Sequence, residues 1–319
     1  MTTPAISVLR RKFPKAHIAY AVEKPYRLLV EGNPNLDKIL ILPREKTIGK
    51  FIGFIKGVRK DKYDLILDFH CGPRASLVTL FSRAKLKIGY RIKYRSFIYD
   101  LTIPRSKESG YYHSVENHIN LVRALGVKVD SLPPLDLPQA RKEEEKKISA
   151  FIQDNKLKGS KIIGIHISAG NEYRDWGTEN LTQLIKLLFQ QEGITIVLLG
   201  EKEDKDAEEE VLKTVNLPLL SLVGKLNLRE LREFISQAAL FVGPDSGPMH
   251  IAASTSTPIV AYFGPTLSAH FSPWKAEAYL IEKDYDCRPC KQKRCLYKDF
   301  RCLRNIKPEE VYKACLRFL

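Results

Sequence analysis

Three hundred and nineteen residues amount to about two average domains, and 44% hydrophobic with 28% charged residues is ordinary globular composition, which excludes a disordered chain, a collagen and a coiled coil. Lys and Arg outnumber Asp and Glu by 52 to 37, a formal net charge of +15. The excess is lopsided: residues 1–138 hold 25 basic against 12 acidic side chains, whereas residues 139–319 hold 27 against 25. Such an asymmetry points to an anionic partner for the first half, whether nucleic acid, a membrane surface or a phosphorylated substrate. No apolar run approaches the roughly 18–20 residues that span a bilayer. Arg10, Arg11, Lys12 and Lys15 interrupt the N-terminus where a signal peptide would be apolar, so a cytoplasmic location is expected.

In chain order, the sequence opens on a helix. Thr2 and Thr3 are candidate N-caps, Pro4 suits a first turn, and Ile6, Leu9 and Phe13 form an apolar stripe. β-rich apolar runs follow at 17–22, 38–42, 65–69, 86–90 and 99–103, with helical periodicity at 73–83 and 114–125. Residues 132–138 hold three prolines, and a charged helix runs from 140 to about 154, which places a domain boundary at 138/139. Beyond it lie strand candidates at 162–167, 194–199, 219–223, 240–242, 259–263 and 279–281, with helices at 180–190 and 228–238. Alternating strands and helices predict two α/β domains with parallel sheets covered on both faces. A doubly wound domain ordinarily opens with a strand that becomes central. The first domain instead opens with a helix, so its first strand is expected to be missing and Met1 to be an internal residue of a longer protein.

Two strand ends in the second half carry the chemistry. Strand 240–242 runs into Gly243-Pro244-Asp245-Ser246-Gly247 and then a small-residue helix. A glycine turn feeding a helix N-terminus gathers unpaired backbone N–H groups at one spot, an anion site. Gly247 permits close approach, Ser246 offers a hydroxyl, and His250 lies four residues on, within reach of the same face. Asp245 suits a sugar hydroxyl better than a bare phosphate; as a structural residue it would be an N-cap. A second glycine loop, Gly264-Pro265-Thr266, follows the next strand. Strand 162–167 likewise ends in Ser168-Ala169-Gly170-Asn171, then Arg174, small residues followed by a cation that suits a diphosphate. Arg174 could equally pair with Glu172 or Asp175. Glu201, just beyond strand 194–199, lies on the same sheet edge, where it could bind a ribose or stand as a solvated acid.

Blocks running through these sites, DSGPMHIAA, TPIVAYFGPT, HISAGNEYRDW and LVGKLNLRELREFISQA, resemble glycosyltransferase family 9, the ADP-heptose:lipopolysaccharide heptosyltransferases. DLILDFHCGPRAS and AKLKIGY fit its N-terminal lobe in order. The resemblance implies a GT-B fold of two facing Rossmann-like domains. It also implies inverting, metal-independent transfer of a heptose from ADP-heptose to the inner core of lipopolysaccharide. Asp245, Ser246, Gly247 and His250 match the donor-binding block. Arg174 falls where the family places a basic residue contacting the donor, Ala169 and Gly170 on its phosphate loop beside the donor-side candidate Ser168, and Leu226 where an apolar residue covers the adenine. The family's general base, an Asp on a turn after the first strand, would lie upstream of Met1, so as written the chain is expected to bind donor and transfer slowly or not at all. Two other readings stay open: a GT-B transferase or epimerase using another nucleotide sugar, and a nucleotide-sugar-binding protein lacking its base.

In the basic half, Arg83, Lys85, Lys87, Arg91, Lys93 and Arg95 interleave with Tyr90 and Tyr94. Basic residues among aromatics suit stacking on nucleic acid or an anionic lipid A/core oligosaccharide acceptor at the cytoplasmic face of the inner membrane. The acceptor is the expectation, and nucleic acid is not. Asp68, His70 and Arg74, around the end of strand 65–69, are the acceptor-side candidates together with Arg91. No cofactor is expected to be needed for catalysis. Cys287, Cys290, Cys295 and Cys302 give C-x₂-C-x₄-C-x₆-C, compatible with a structural zinc, reduced thiols or disulfides.

Overall fold

The computed structural model describes residues 1–44, 47–105 and 113–319. The chain divides into two compact units, Met1–Pro138 and Gln139–Leu319.

The second unit is built on six parallel strands, β6 (Lys161–His166), β7 (Ile194–Leu199), β8 (Leu220–Ser221), β9 (Leu240–Pro244), β10 (Ile259–Phe263) and β11 (Ala278–Glu282). Their spatial order is β11-β10-β9-β6-β7-β8. The chain therefore starts in the middle of the sheet, winds outward through β7 and β8, then crosses back to β9 and winds the other way. That is the doubly wound order, with its switch point between β6 and β9. Burial explains why these segments are strands: β9 and β10 are buried throughout and β6 from its second residue on, as apolar runs covered on both faces must be. Helices α5 (Lys142–Asp154), α6 (Thr178–Phe189), α7 (Lys205–Val215), α8 (Leu228–Ser236) and α10 (Pro308–Cys315) cover the sheet. Asn227 caps α8 by accepting from the N–H groups of Arg229 and Glu230, while Glu230 returns to the Asn227 N–H at 2.8 Å. Trp176 stacks on Tyr262 at 4.7 Å and donates from Nε1 to the Ile306 carbonyl, which locks the loop after β6 onto the core.

Among the described residues the first unit holds five parallel strands in two sheets. β1 (Ala19–Glu23) pairs with β2 (Lys38–Leu42), and β3 (Leu65–Leu67), β4 (Leu86–Tyr90) and β5 (Leu101–Ile103) form the other. Among the described residues no strand pairs with the remaining edge of β1 or of β3, and the unit opens on helix α1 (Thr3–Lys12). Around the sheets stand α2 (Ile48–Asp61), α3 (Pro73–Phe81) and α4 (Ser114–Arg123). The expected threonine cap of α1 does not form. The Thr2 hydroxyl lies 2.8 Å from Tyr20 Oη, and Thr3 Oγ1 accepts from the Asp136 N–H, so both hydroxyls tie the helix to other parts of its unit.

Asp68 and Gly89 anchor the second sheet. Tyr99 donates its hydroxyl to Asp68 Oδ2 at 2.8 Å and lies 2.9 Å from Ser76 Oγ, which pins its ring across β4 at Gly89. A Cβ on Gly89 would lie 2.5 Å from that ring. Gly89→Ala should therefore destabilise the protein by about 1–3 kcal/mol, the ordinary cost of overpacking, read as a lowered urea midpoint. An unchanged midpoint would show that the ring moves freely.

Candidate functional site

Because every strand of the second unit is parallel, all their C-terminal ends meet one edge, and the switch point sets the loops after β6 and β9 side by side there. The β6 loop begins at His166, the last residue of the strand. Ser168 Oγ accepts from the Gly170 N–H at 3.0 Å, and Gly170 has φ +61°, a left-handed conformation that glycine takes without strain. Asn171 then accepts the Tyr173 N–H through its side chain and starts the short turn Glu172–Arg174.

Arg174 crosses to the neighbouring loop. Its Nη1 donates to the Asp245 carbonyl at 3.1 Å and lies 3.4 Å from Asp245 Oδ2. Neither Glu172 nor Asp175, its candidate partners by sequence, takes that place. Asp245 is buried, and its Oδ2 also accepts from Thr266 Oγ1 at 2.6 Å, while Oδ1 lies 3.9 Å from His250 Nε2. Burial pushes the Asp245 carboxyl above the usual carboxylate range; the Thr266 hydroxyl and the Arg174 charge pull back against it without cancelling it. As an N-cap, Asp245 is displaced by Ser246, which precedes α9 (Gly247–Ala252), and no side chain caps that helix. α9 is only six residues long, and the cation beside Asp245 is the Arg174 guanidinium. Ser246 Oγ lies 3.5 Å from His166 Nδ1.

The other donor-side candidates lie along the same edge. Glu201 starts the turn before α7, its N–H donating to Asp204 Oδ2 at 2.7 Å, and the acid is exposed. Leu226, half-buried, follows Gly224, whose N–H reaches the Gly200 carbonyl at 3.0 Å and so ties the β8 loop to the β7 loop. The structure thus brings Ser168, Ala169, Gly170, Arg174, Asp245, Ser246, Gly247 and His250 around the switch point, with Glu201 and Leu226 further along. Sequence reasoning assigned no role to His166, Thr266, Asn171 or Gln292. For Thr266 the signal was there, in the glycine loop after β10; for Gln292 there was none.

In the first unit, Asp68 is consumed by its own turn. Oδ1 accepts the N–H groups of His70 and Cys71 at 3.1 and 2.6 Å, and Oδ2 takes the Tyr99 hydroxyl. His70 accepts the Gly72 N–H and gives its carbonyl to Arg105. Arg74 lies over the Phe51 ring and 4.0 Å from Glu23, and Arg91 is exposed. Asp68 is therefore an internal anchor, whereas Arg74 and Arg91 stay partly or fully at the surface.

Cys287, Cys290, Cys295 and Cys302 are free thiols, and among the described residues no three His, Cys, Asp or Glu form a group that could hold a metal ion. The thiols differ in character. Burial pushes Cys295 up, but backbone N–H groups of Phe300, Tyr297, Lys298 and Asp299 outweigh it and hold the thiol below its ordinary range. Burial and its neighbouring thiols raise Cys302 to about 11.

Two solved structures show the same architecture. The glycosyl transferase family 9 protein from Veillonella parvula DSM 2008 superposes with a TM-score of 0.85 at 24% identity, over 99% of this chain and 92% of that one. The E. coli ADP-heptose LPS heptosyltransferase II gives 0.76 at 22%, over 99% and 93%. The fold is of the glycosyltransferase B class. Residues 52–301 match the model of glycosyltransferase family 9 (heptosyltransferase), and the chain belongs to that family. Among its relatives, lipooligosaccharide heptosyltransferase 2 of Campylobacter jejuni subsp. jejuni serotype O:2 is 33% identical over 165 residues, 50% of this chain and 52% of that protein. Lipopolysaccharide heptosyltransferase 3 of Escherichia coli is 27% identical over 293 residues, 86% and 82%. The first of these matches thus spans only about half of the relative's own length.

His166 supplies a pH signature. Complete burial lowers its pKa from 6.5 to about 4, against a smaller opposing pull from Asp204. A histidine depressed in the folded state contributes stability above its unfolded pKa and loses it as pH falls toward the folded value. Between pH 7 and 4.5 this site should cost about 2 kcal/mol. Urea midpoints at the two pH values should differ less in His166→Gln than in the natural protein; an equal drop would remove His166 as the source.

Proposed function

We propose that this chain holds ADP-heptose as the donor for transfer of the heptose to the inner core of a lipopolysaccharide, with inversion at the anomeric carbon and without a metal in the transfer step. The observation that carries the reading is Arg174, held across the switch point of a doubly wound sheet by the carbonyl and carboxylate of Asp245. A switch-point crevice with a fixed guanidinium suits a nucleoside diphosphate, and a leaving diphosphate is the group that gains charge as the glycosidic bond breaks. The adenine and the heptose come from the family and from the relatives' own substrates. In this reading the loop at 168–170 approaches the diphosphate through its backbone, and Leu226 covers the base.

Calorimetric titration with ADP, UDP, GDP and CMP tests the donor. ADP should bind best, and Arg174→Ala should weaken it by roughly 10- to 100-fold, the worth of a charge-assisted hydrogen bond. A preference for another nucleotide would discard the heptosyltransferase reading while leaving the fold.

The acceptor side of the proposal is an anionic lipid met at a membrane surface by the first unit. There α2 packs on α3, and Ile48, Phe81, Tyr94 and Phe97 are exposed at 74, 49, 81 and 79%. Exposed Arg83, Lys85, Arg91 and Lys93 lie in the same stretch of chain. Apolar side chains set among cations fit an anionic bilayer interface. No helix among the described residues is long and apolar enough to cross a membrane. The protein should sediment with phosphatidylglycerol vesicles, less so at high salt and less so as Tyr94→Ser/Phe97→Ser. Equal binding to neutral phosphatidylcholine vesicles would sink the membrane reading.

A further inference from the structure

The thiol-bearing segment after β11 returns to the sheet edge and is fastened to the loops of the site. Arg288, its side chain 3% exposed, donates from Nε to the Gly264 carbonyl at 2.5 Å and from Nη2 to the Thr266 carbonyl at 2.7 Å, and it pairs with Glu282 at 2.6 Å. The Cys290 N–H donates to the Pro265 carbonyl at 2.9 Å. Two residues on, the Gln292 N–H turns back onto Cys290 Sγ at 3.3 Å. This turn carries the Gln292 side chain to the β6 loop, where its Oε1 accepts from Asn171 Nδ2 at 2.9 Å and from Arg174 Nε at 3.0 Å.

Arg174 is thereby held from two sides, at Nε by Gln292 and at Nη1 by Asp245. Two fixed nitrogens of a planar group fix its plane, and the donors on Nη2 then have a set direction. We infer that Gln292 is a positioning residue of the diphosphate site, acting through Arg174: it orients the guanidinium with a neutral acceptor and so leaves the positive charge for an anion. The inference rests on the diphosphate reading of the site. Neutrality is the telling property. Asp245 already sets one carboxylate against Arg174. A second at position 292 would hold the guanidinium equally well and cancel its attraction for phosphate.

Two variants and two ligands test this by calorimetry, with circular dichroism confirming the fold. Gln292→Met keeps the length and removes the acceptor; Gln292→Glu keeps the acceptor and adds a charge. Each should lower ADP affinity about tenfold and leave adenosine affinity unchanged. The double variant Arg174→Ala/Gln292→Met should bind ADP within about twofold of Arg174→Ala alone, because the glutamine works through the arginine. The inference is overturned if Gln292→Glu binds ADP normally, since a purely structural role would be met by either side chain. It is also overturned if adenosine is weakened as much as ADP, or if the Arg174 and Gln292 losses add in full. Should Arg174→Ala itself bind ADP normally, the diphosphate reading falls first and the inference with it, a pattern distinct from a silent Gln292.

Discussion

The reversal of winding between β6 and β9 is the constraint from which the site follows. It makes two strands far apart in sequence neighbours, and it leaves their C-terminal loops side by side with no helix crossing between them. The bonds that join Arg174, Asp245 and Thr266 are arranged around that seam. Arg174 comes from one loop, Asp245 from the other, and Thr266 from the loop after β10, next to β9. The strands behind them are apolar and close-packed, so the seam cannot drift.

Burying Asp245 at this seam is unfavourable taken alone, as the upward pull on its carboxyl shows. A hydroxyl and a guanidinium offset part of that cost, and the remainder is retained because the acid does two things at once. It holds Arg174 at the edge, and it draws the β10 loop in through Thr266. A buried ion pair is weak evidence of stability; here its value lies in where it leaves the arginine.

Most of the fold was legible in the sequence, because strand-forming runs such as 38–42, 194–199 and 259–263 are short, apolar and bounded by turn residues, so their periodicity has one reading. Ends were less legible: the apolar run at 65–69 gives a strand of only Leu65–Leu67, since after the Asp68 N–H makes a last bond to the Ile88 carbonyl, the Asp68 carboxylate accepts the N–H groups of His70 and Cys71 and turns the chain away. The site was legible where residues sit beside a strand end, as Arg174, Asp245 and Ser246 do. Their partners were not. Which acid Arg174 chooses depends on strand order, and neighbouring Glu172 and Asp175 lose to Asp245, 71 residues away. Gln292 lies 118 residues from Arg174 in a segment whose cysteines draw the eye to metal, and no local pattern marks its amide as part of another loop.

The two-piece sheet of the first unit bears on handling as well as on architecture. β1 and β3 each have one edge, a row of backbone N–H and C=O groups, that finds no strand among the described residues. Such rows are templates for any extended segment of matching length, and two of them lie in the half of the molecule that carries nearly all of the net positive charge. Charge repulsion between copies opposes edge pairing in dilute buffer, and added salt screens it. Ionic strength should thus set how readily copies of this protein pair through those edges.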